Sequence, residues 1–243
     1  HGESGVVSCH SVHAVVTASL DPSLRDMVNE FSMVTPDGQP VRWALNLLHG
    51  AGLGDRVYGP ELMLRVCRQA AEKQLPIYLY GGSPETLQAL ERQLCKNSPA
   101  LRIACAESPP SRALTDEENE AACQRIHDSG AKIVFIGLGC PKQDYFAAKN
   151  ANRIPAILMC VGAAFDFHAG TKPTAPSWMQ RVGLEWLFRL YCEPRRLWKR
   201  YLFTNTIFCV KVVASTPVAL MSRIKRGRLF GITRPEQALP NTP

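Results

Sequence analysis

Short runs of β-branched and apolar residues alternate along this chain with longer stretches of helical character, and no other feature narrows the fold as much. Such alternation marks βα units, in which a helix crosses back over the sheet before the next parallel strand can pair. Strands are expected at 12–17 (VHAVVT), 76–80 (PIYLY), 101–105, 132–137 (KIVFIG) and 155–161 (PAILMCV). Helices are expected at 22–30, 39–49, 59–74, 84–97, 115–129 and 142–151. Thr115 followed by Glu118 makes a capping box, and Pro84 and Pro141 stand at first-turn positions, where a missing N–H costs nothing. With 243 residues, 46% of them hydrophobic and 20% charged, the chain can bury one sizeable core but not two full catalytic domains. The same balance excludes disorder and collagen-like repeats.

Beyond residue 176 the strand signal stops and the pattern turns helical. Between Tyr201 and Met221 a mostly apolar run approaches the length of a membrane span, but Asn205, Lys211 and Pro217 interrupt it, and charge near the middle of a bilayer is costly. Attachment to a membrane surface is therefore expected over a span. Trp198, Lys199, Arg200 and Tyr201 on one flank and Arg223, Lys225, Arg226 and Arg228 on the other are residues that favour headgroups. Packing of this run on the body or on a sister subunit is the alternative.

Charge divides the chain the same way. Residues 1–180 carry 16 Lys/Arg against 18 Asp/Glu, a net −2, whereas residues 181–243 carry 12 against 3, a net +9. A mildly acidic body (1–180) with a basic, aromatic-containing appendage (181–243) points to phospholipid headgroups or phosphates and away from nucleic acid. A solvated basic face is the plainer reading. The nine cysteines are never closer than Cys95 and Cys105, so no CxxC pair and no zinc-ligand spacing exists. Cys67, Cys123, Cys160 and Cys209 lie in apolar settings, which suggests reduced thiols and a cytoplasmic location. No signal peptide is legible, and His1 in place of Met is read as a processed or truncated start.

Two expected strands run into glycine-bearing loops. One is Gly81-Gly82-Ser83-Pro84, and the other is Gly137-Leu138-Gly139-Cys140-Pro141-Lys142-Gln143. Backbone approaches a ligand closely at such places, helix N-termini favour phosphate, and open α/β sheets bind ligands along that edge. Neither loop is a GxGxxG or GxxxxGK[ST] motif, so ordinary tight turns remain open. Lys142 and Gln143 sharpen the ligand reading, because a cation and an amide beside two glycines suit a diphosphate and a base or sugar. Asp37, in Thr35-Pro36-Asp37-Gly38, is either part of a routine PDG turn or a carboxylate placed to take a proton from a hydroxyl. Thr17 and Ser19, at the end of the first expected strand, offer hydrogen bonds to the same crevice. Asp166 and His168 read as satisfied polar groups in a loop sooner than as an acid/base couple. No serine nucleophile elbow and no DxD triplet occurs.

Six ordered blocks together resemble the WecG/TagA/CpsF family of bacterial glycosyltransferases, glycosyltransferase family 26, over roughly residues 12–203. They are VTPDG (34–38), DRVYGPELM (55–63), YLYGGSPE (78–85), VFIGLGCPKQDYF (134–146), VGAAFDFHAGTKPTAPSWMQRVGLEWLFRL (161–190) and EPRRLWKRY (193–201). The resemblance implies a Rossmann-like α/β body, a mostly parallel sheet flanked by helices, with a helical basic C-terminal appendage serving as lid and membrane contact. It further implies inverting transfer of a hexose or N-acetylhexosamine-type sugar from a UDP-sugar to a polyprenyl-diphosphate-linked saccharide. The expected location is peripheral, on the cytoplasmic face of the bacterial inner membrane. Partners would be the donor, the lipid-linked acceptor, an anionic membrane surface and possible further copies of the chain, with no nucleic acid.

Asp37 becomes the general base in this reading, an ordinary Asp ionised at neutral pH with a pKa near 4. No cofactor and no metal is expected. In the absence of a DxD site, the departing diphosphate would be met by backbone N–H groups and by Arg56, Arg189, Arg195, Arg196 and Arg200. Contacts to substrate are further expected from Thr17, Ser19, Gly81, Gly82, Gly137, Gly139, Pro141, Lys142 and Gln143. Two positions depart from the family pattern: Ser19 replaces an Asn often found two residues after the first-strand Thr, and Asp144 stands where Glu is more usual. A nucleotide-binding oxidoreductase and a non-catalytic module for phosphate or anionic surfaces are the rival readings. The first lacks the glycine fingerprint and the acidic residue about 20 positions beyond it.

Overall fold

A computed structural model describes residues 4–229, with side chains through Met221. Residues 230–243 of the expected appendage, and the side chains of Arg223, Lys225, Arg226 and Arg228, lie outside the described residues. The strands are β1 (Gly5–His10), β2 (Met33–Pro36), β3 (Ile77–Gly81), β4 (Ile103–Glu107), β5 (Ile133–Gly137) and β6 (Ile157–Cys160). They form one six-stranded sheet in the order β2-β1-β6-β5-β3-β4, with every neighbouring pair parallel. The helices between them are α1 (Val12–Leu20), α2 (Pro22–Asn29), α3 (Gln39–His49), α4 (Gly59–Glu72), α5 (Pro84–Asn97), α6 (Asp116–Asp128) and α7 (Lys142–Asn150), and α8 (Ala164–Ala169) follows β6. Three more close the chain: α9 (Ser177–Arg181), α10 (Glu185–Cys192) and α11 (Pro194–Leu229). This is the expected α/β architecture.

Because side chains alternate across a strand, the sheet feeds a separate core on each face. Tyr78, Tyr80, Val134, Ile136, Leu158 and Cys160 pack against α6 and α7, while Ile77, Leu79, Phe135 and Met159 pack against α4, α5 and α8. These strands are buried on both sides, so they read as continuous apolar runs and are easily found. The capping box at α6 is present in full: the Thr115 hydroxyl accepts from the Glu118 N–H, and the Glu118 carboxylate accepts from the Thr115 N–H.

The N-terminal expectation needs correction. VHAVVT is not a strand but the first turns of α1, and the first strand is GVVSCH, five to ten residues into the chain. Helix α1 touches both α2 and α11 and buries Ala14, Val16 and Ala18. A helix buried on two sides hides every second residue here, which imitates the period of a strand. Strand β2, short and mostly exposed, is absent from the expected strands because it carries no buried apolar run. The thiol at Cys209 is exposed, unlike Cys67, Cys123 and Cys160, which are buried as expected; all nine cysteines are free.

Candidate active site

In a parallel sheet the loops at the strands' C-terminal ends gather along one edge. Beside that edge, under α10 and α11, lies a cavity of about 290 Å³. Its walls come from Ser11, Val12 and His13 at the start of α1, from Asp37 to Pro40 after β2, from Arg56, and from residues between Gly183 and Cys209. Helix α11 reaches the cavity because its first turns pack on α1 and α3.

Asp37 is fixed from two sides. Its N–H donates to the His10 carbonyl at 3.0 Å, and its Oδ1 accepts from the N–H of Gly59, the first residue of α4, at 2.9 Å. Burial pushes the Asp37 carboxyl up to about 7; Glu185 adds to the rise, while the Gly59 N–H, Arg56 and Arg189 oppose it. This corrects the expectation of an ordinary carboxyl near 4. A group poised near neutrality is well matched to general base work.

The five candidate arginines separate into three settings. Arg56 is already satisfied: its Nη1 donates to Glu185 Oε2 at 2.7 Å, its Nη2 to Gln180 Oε1 at 2.9 Å, and its guanidinium lies 4.1 Å from the centre of the Tyr58 ring. With the Tyr58 hydroxyl donating to Glu185 Oε1 at 3.2 Å, it latches the loop before α4 to α9 and α10. Arg189 and Arg200 line the cavity, and neither enters an ion pair among the described residues. Arg189 is 5.5 Å from the centre of the Phe167 ring. Arg195 and Arg196 are exposed outside the cavity walls, and Arg196 is paired with Glu193.

The glycine loops sit on the same sheet edge but outside the cavity walls. Gly81 and Gly137 are partners at the ends of β3 and β5. A Cβ on Gly81 would fall 2.6 Å from the Gly137 carbonyl carbon, and one on Gly137 would fall 2.6 Å from the Phe165 ring. Close packing therefore accounts for both. Gly82 and Gly139 hold positive φ angles, and Pro141 is joined to Cys140 by a cis peptide bond. Lys142 Nζ donates to the Ser111 carbonyl at 2.6 Å, and Gln143 is buried with its side-chain carbonyl unpartnered.

Thr17 and Ser19 are not at a strand end. Both lie in α1, where their hydroxyls donate to the carbonyls of His13 and Val16 at 2.8 Å. The first strand ends instead with Ser8 and His10. Asp166 and His168 are satisfied as expected, though on helix α8 and not in a loop: Asp166 pairs with Lys172, and His168 Nε2 lies 2.8 Å from the Pro60 carbonyl. His13, Gln39, Glu185, Trp186, Tyr201 and Asn205 also line the cavity, although no sequence argument points to them as site residues. Glu185 and Trp186, in the VGLEWLFRL stretch, and Tyr201, the last residue of EPRRLWKRY, carry a signal as members of the ordered blocks. Burial, then Arg200, push His13 down to about 4, so it presents an uncharged imidazole.

Comparison with known families matches residues 1–219 to the glycosyl transferase WecG/TagA/CpsF family. The chain belongs to that family. Membership makes this WecG/TagA/CpsF protein a glycosyltransferase of cell-surface polysaccharide synthesis, using a sugar-nucleotide donor and a lipid-linked acceptor. The match takes in β1 and runs well into α11, so the family region begins before residue 12 and ends beyond residue 203.

Proposed function

We propose that this family member transfers a hexose or N-acetylhexosamine-type sugar from a UDP-sugar to a polyprenyl-diphosphate-linked saccharide, with inversion and without a metal. The observation that carries the reading is the sharing of one cavity by the Asp37 carboxylate, drawn up toward neutrality, and two guanidinium groups in no ion pair among the described residues, Arg189 and Arg200. Asp37 takes the proton from the acceptor hydroxyl as that oxygen bonds to the anomeric carbon. The bond from that carbon to the donor phosphate breaks on the opposite side, and its electron pair leaves on the diphosphate. Arg189 and Arg200 meet the charge that develops there, where a guanidinium binds phosphate oxygens through two parallel hydrogen bonds. Arg56, neutralised by Glu185, shapes the site and holds α10 closed. The loops carrying Gly81, Gly82, Gly139, Lys142 and Gln143 are assigned to the nucleotide.

The appendage from residue 181 is read as lid and membrane contact, at the cytoplasmic face of the inner membrane. Pro194–Met221 is long enough to cross a membrane, and an 18-residue window within it has a mean hydropathy of 1.4. Its first half is already used, because Leu197 and Thr204 are buried and Tyr201, Phe208 and Cys209 border the cavity. The stretch left from Val210 to Met221 extends about 18 Å at helical rise and contains Lys211, against about 30 Å of hydrocarbon. A docked α11 therefore lies on the surface, presenting Trp198, Leu202, Phe203 and Val213, all exposed.

Asp37→Asn tests the chemistry in a screen of UDP-sugars with a synthetic polyprenyl-diphosphate saccharide. Transfer is expected to fall at least about 1,000-fold, with UDP binding and fold retained. Full activity in this variant would reject the assignment, and activity lost to a chelator and restored by manganese would reject metal independence.

A further inference from the structure

Behind Asp37 lies a sealed polar cluster that the proposed chemistry does not use. Ser8 and His10 alternate on β1, so both side chains leave the same face of the sheet, and both meet Asp144 in the first turn of α7. Ser8 Oγ donates to Asp144 Oδ1 at 2.7 Å, and His10 Nε2 lies 3.3 Å from the same oxygen. Relative exposures are 0% for Ser8, 4% for His10 and 1% for Asp144. Asp144 Oδ2 has no hydrogen-bond partner among the described residues. A sealed carboxylate with one oxygen unpaired is unfavourable where an apolar side chain of similar size would not be. Packing alone does not account for it.

His10 connects this cluster to the site. It is the last residue of β1, paired in register with Pro36, and its carbonyl accepts the Asp37 N–H at 3.0 Å. The His10 ring is thus held from behind by Asp144 while its backbone holds Asp37 in front. Asp144 also faces Cys140 of the loop after β5, where burial, then the Asp144 charge and a side-chain hydrogen bond, push the thiol up, so one carboxylate links the end of β1 to that loop. We propose that Asp144 is a positioning residue for Asp37, acting through His10. The inference rests on the reading of Asp37 as base, and a displacement of about 1 Å at such a group costs on the order of 100-fold in rate.

The test uses the full chain, with UDP release measured on the most active of UDP-glucose, UDP-N-acetylmannosamine and its uronic acid in the presence of the synthetic acceptor. Asp144→Ala and His10→Ala are each expected to lower kcat by about 10- to 100-fold while the donor KM stays within about threefold. Because the two act in series, the double variant should be no slower than the worse single one. Losses that multiply, a KM that rises in step with the fall in kcat, or an unchanged kcat would overturn the proposal. If Asp144→Ala does not fold, His10→Ala decides by the same kcat and KM criteria. Asp37→Asn, run alongside, separates the two readings. Full activity there defeats the base assignment and this inference together, whereas an inactive Asp37→Asn with a normal Asp144→Ala defeats the positioning role alone.

Discussion

A carboxyl drawn up to about 7 ties activity and stability to pH in opposite directions. Only ionised Asp37 accepts a proton, so kcat should rise through an apparent pKa near 7 and level off above it; a profile flat from pH 5 to 8 would contradict the role. In the unfolded chain the same group ionises near 4. Between about pH 4 and 7 the unfolded state gives up its proton first, so the contribution of this position to folding stability declines as pH rises across that window. Asp37→Asn removes the unfavourable ionisation and keeps an oxygen for the Gly59 N–H. It should therefore be more stable than the parent at pH 8, by about 2 kcal/mol, less than the full shift because the group faces a cavity. Thermal melts at pH 5 and 8 check the sign, with the advantage of the variant growing from the lower pH to the higher. None of this is legible at Asp37 in the sequence, where PDG describes a turn as well as it describes a base.

At the level of elements, glycines that look alike in the sequence do different work. Gly137 faces the Phe165 ring, itself fully buried, and has no room for a methyl group, so Gly137→Ala should cost about 2–3 kcal/mol through overpacking. Gly139 has open space around its Cβ position and a φ of +76°, so Gly139→Ala should cost only about 1 kcal/mol, through backbone strain. Denaturant midpoints of the two variants measure the difference, and equal losses would deny the packing role at Gly137. The strand–loop–helix boundaries around both glycines are readable because β3 and β5 are apolar throughout and Pro84 and Pro141 mark where α5 and α7 begin. Helix α1 is not readable, because its burial is set by packing against α2 and α11, the second of them far away in the chain, and its own β-branched residues suggest a strand.

At the scale of the molecule, no described residue beyond Ala169 belongs to the two large core clusters on the faces of the sheet. Truncation after Val182 should accordingly leave a folded body, seen by circular dichroism and a cooperative melt, with greatly reduced transfer because Arg189 and Arg200 are gone. The full chain should pellet with anionic vesicles, more weakly at high salt, since headgroup attraction is screened beyond about 10 Å at 0.1 M; the truncated body should stay in solution. Equal pelleting of both would contradict attachment through the appendage. The α/β class, the central strands, the basic tail and the family were settled by sequence, because apolar runs, capping residues, charge balance and ordered motifs are local properties of the chain. The first strand, the company kept by each arginine and the elevated ionisation of Asp37 were decided only when the chain folded. Each depends on which distant groups share a small volume of low polarity, and that proximity is created by packing across the sheet.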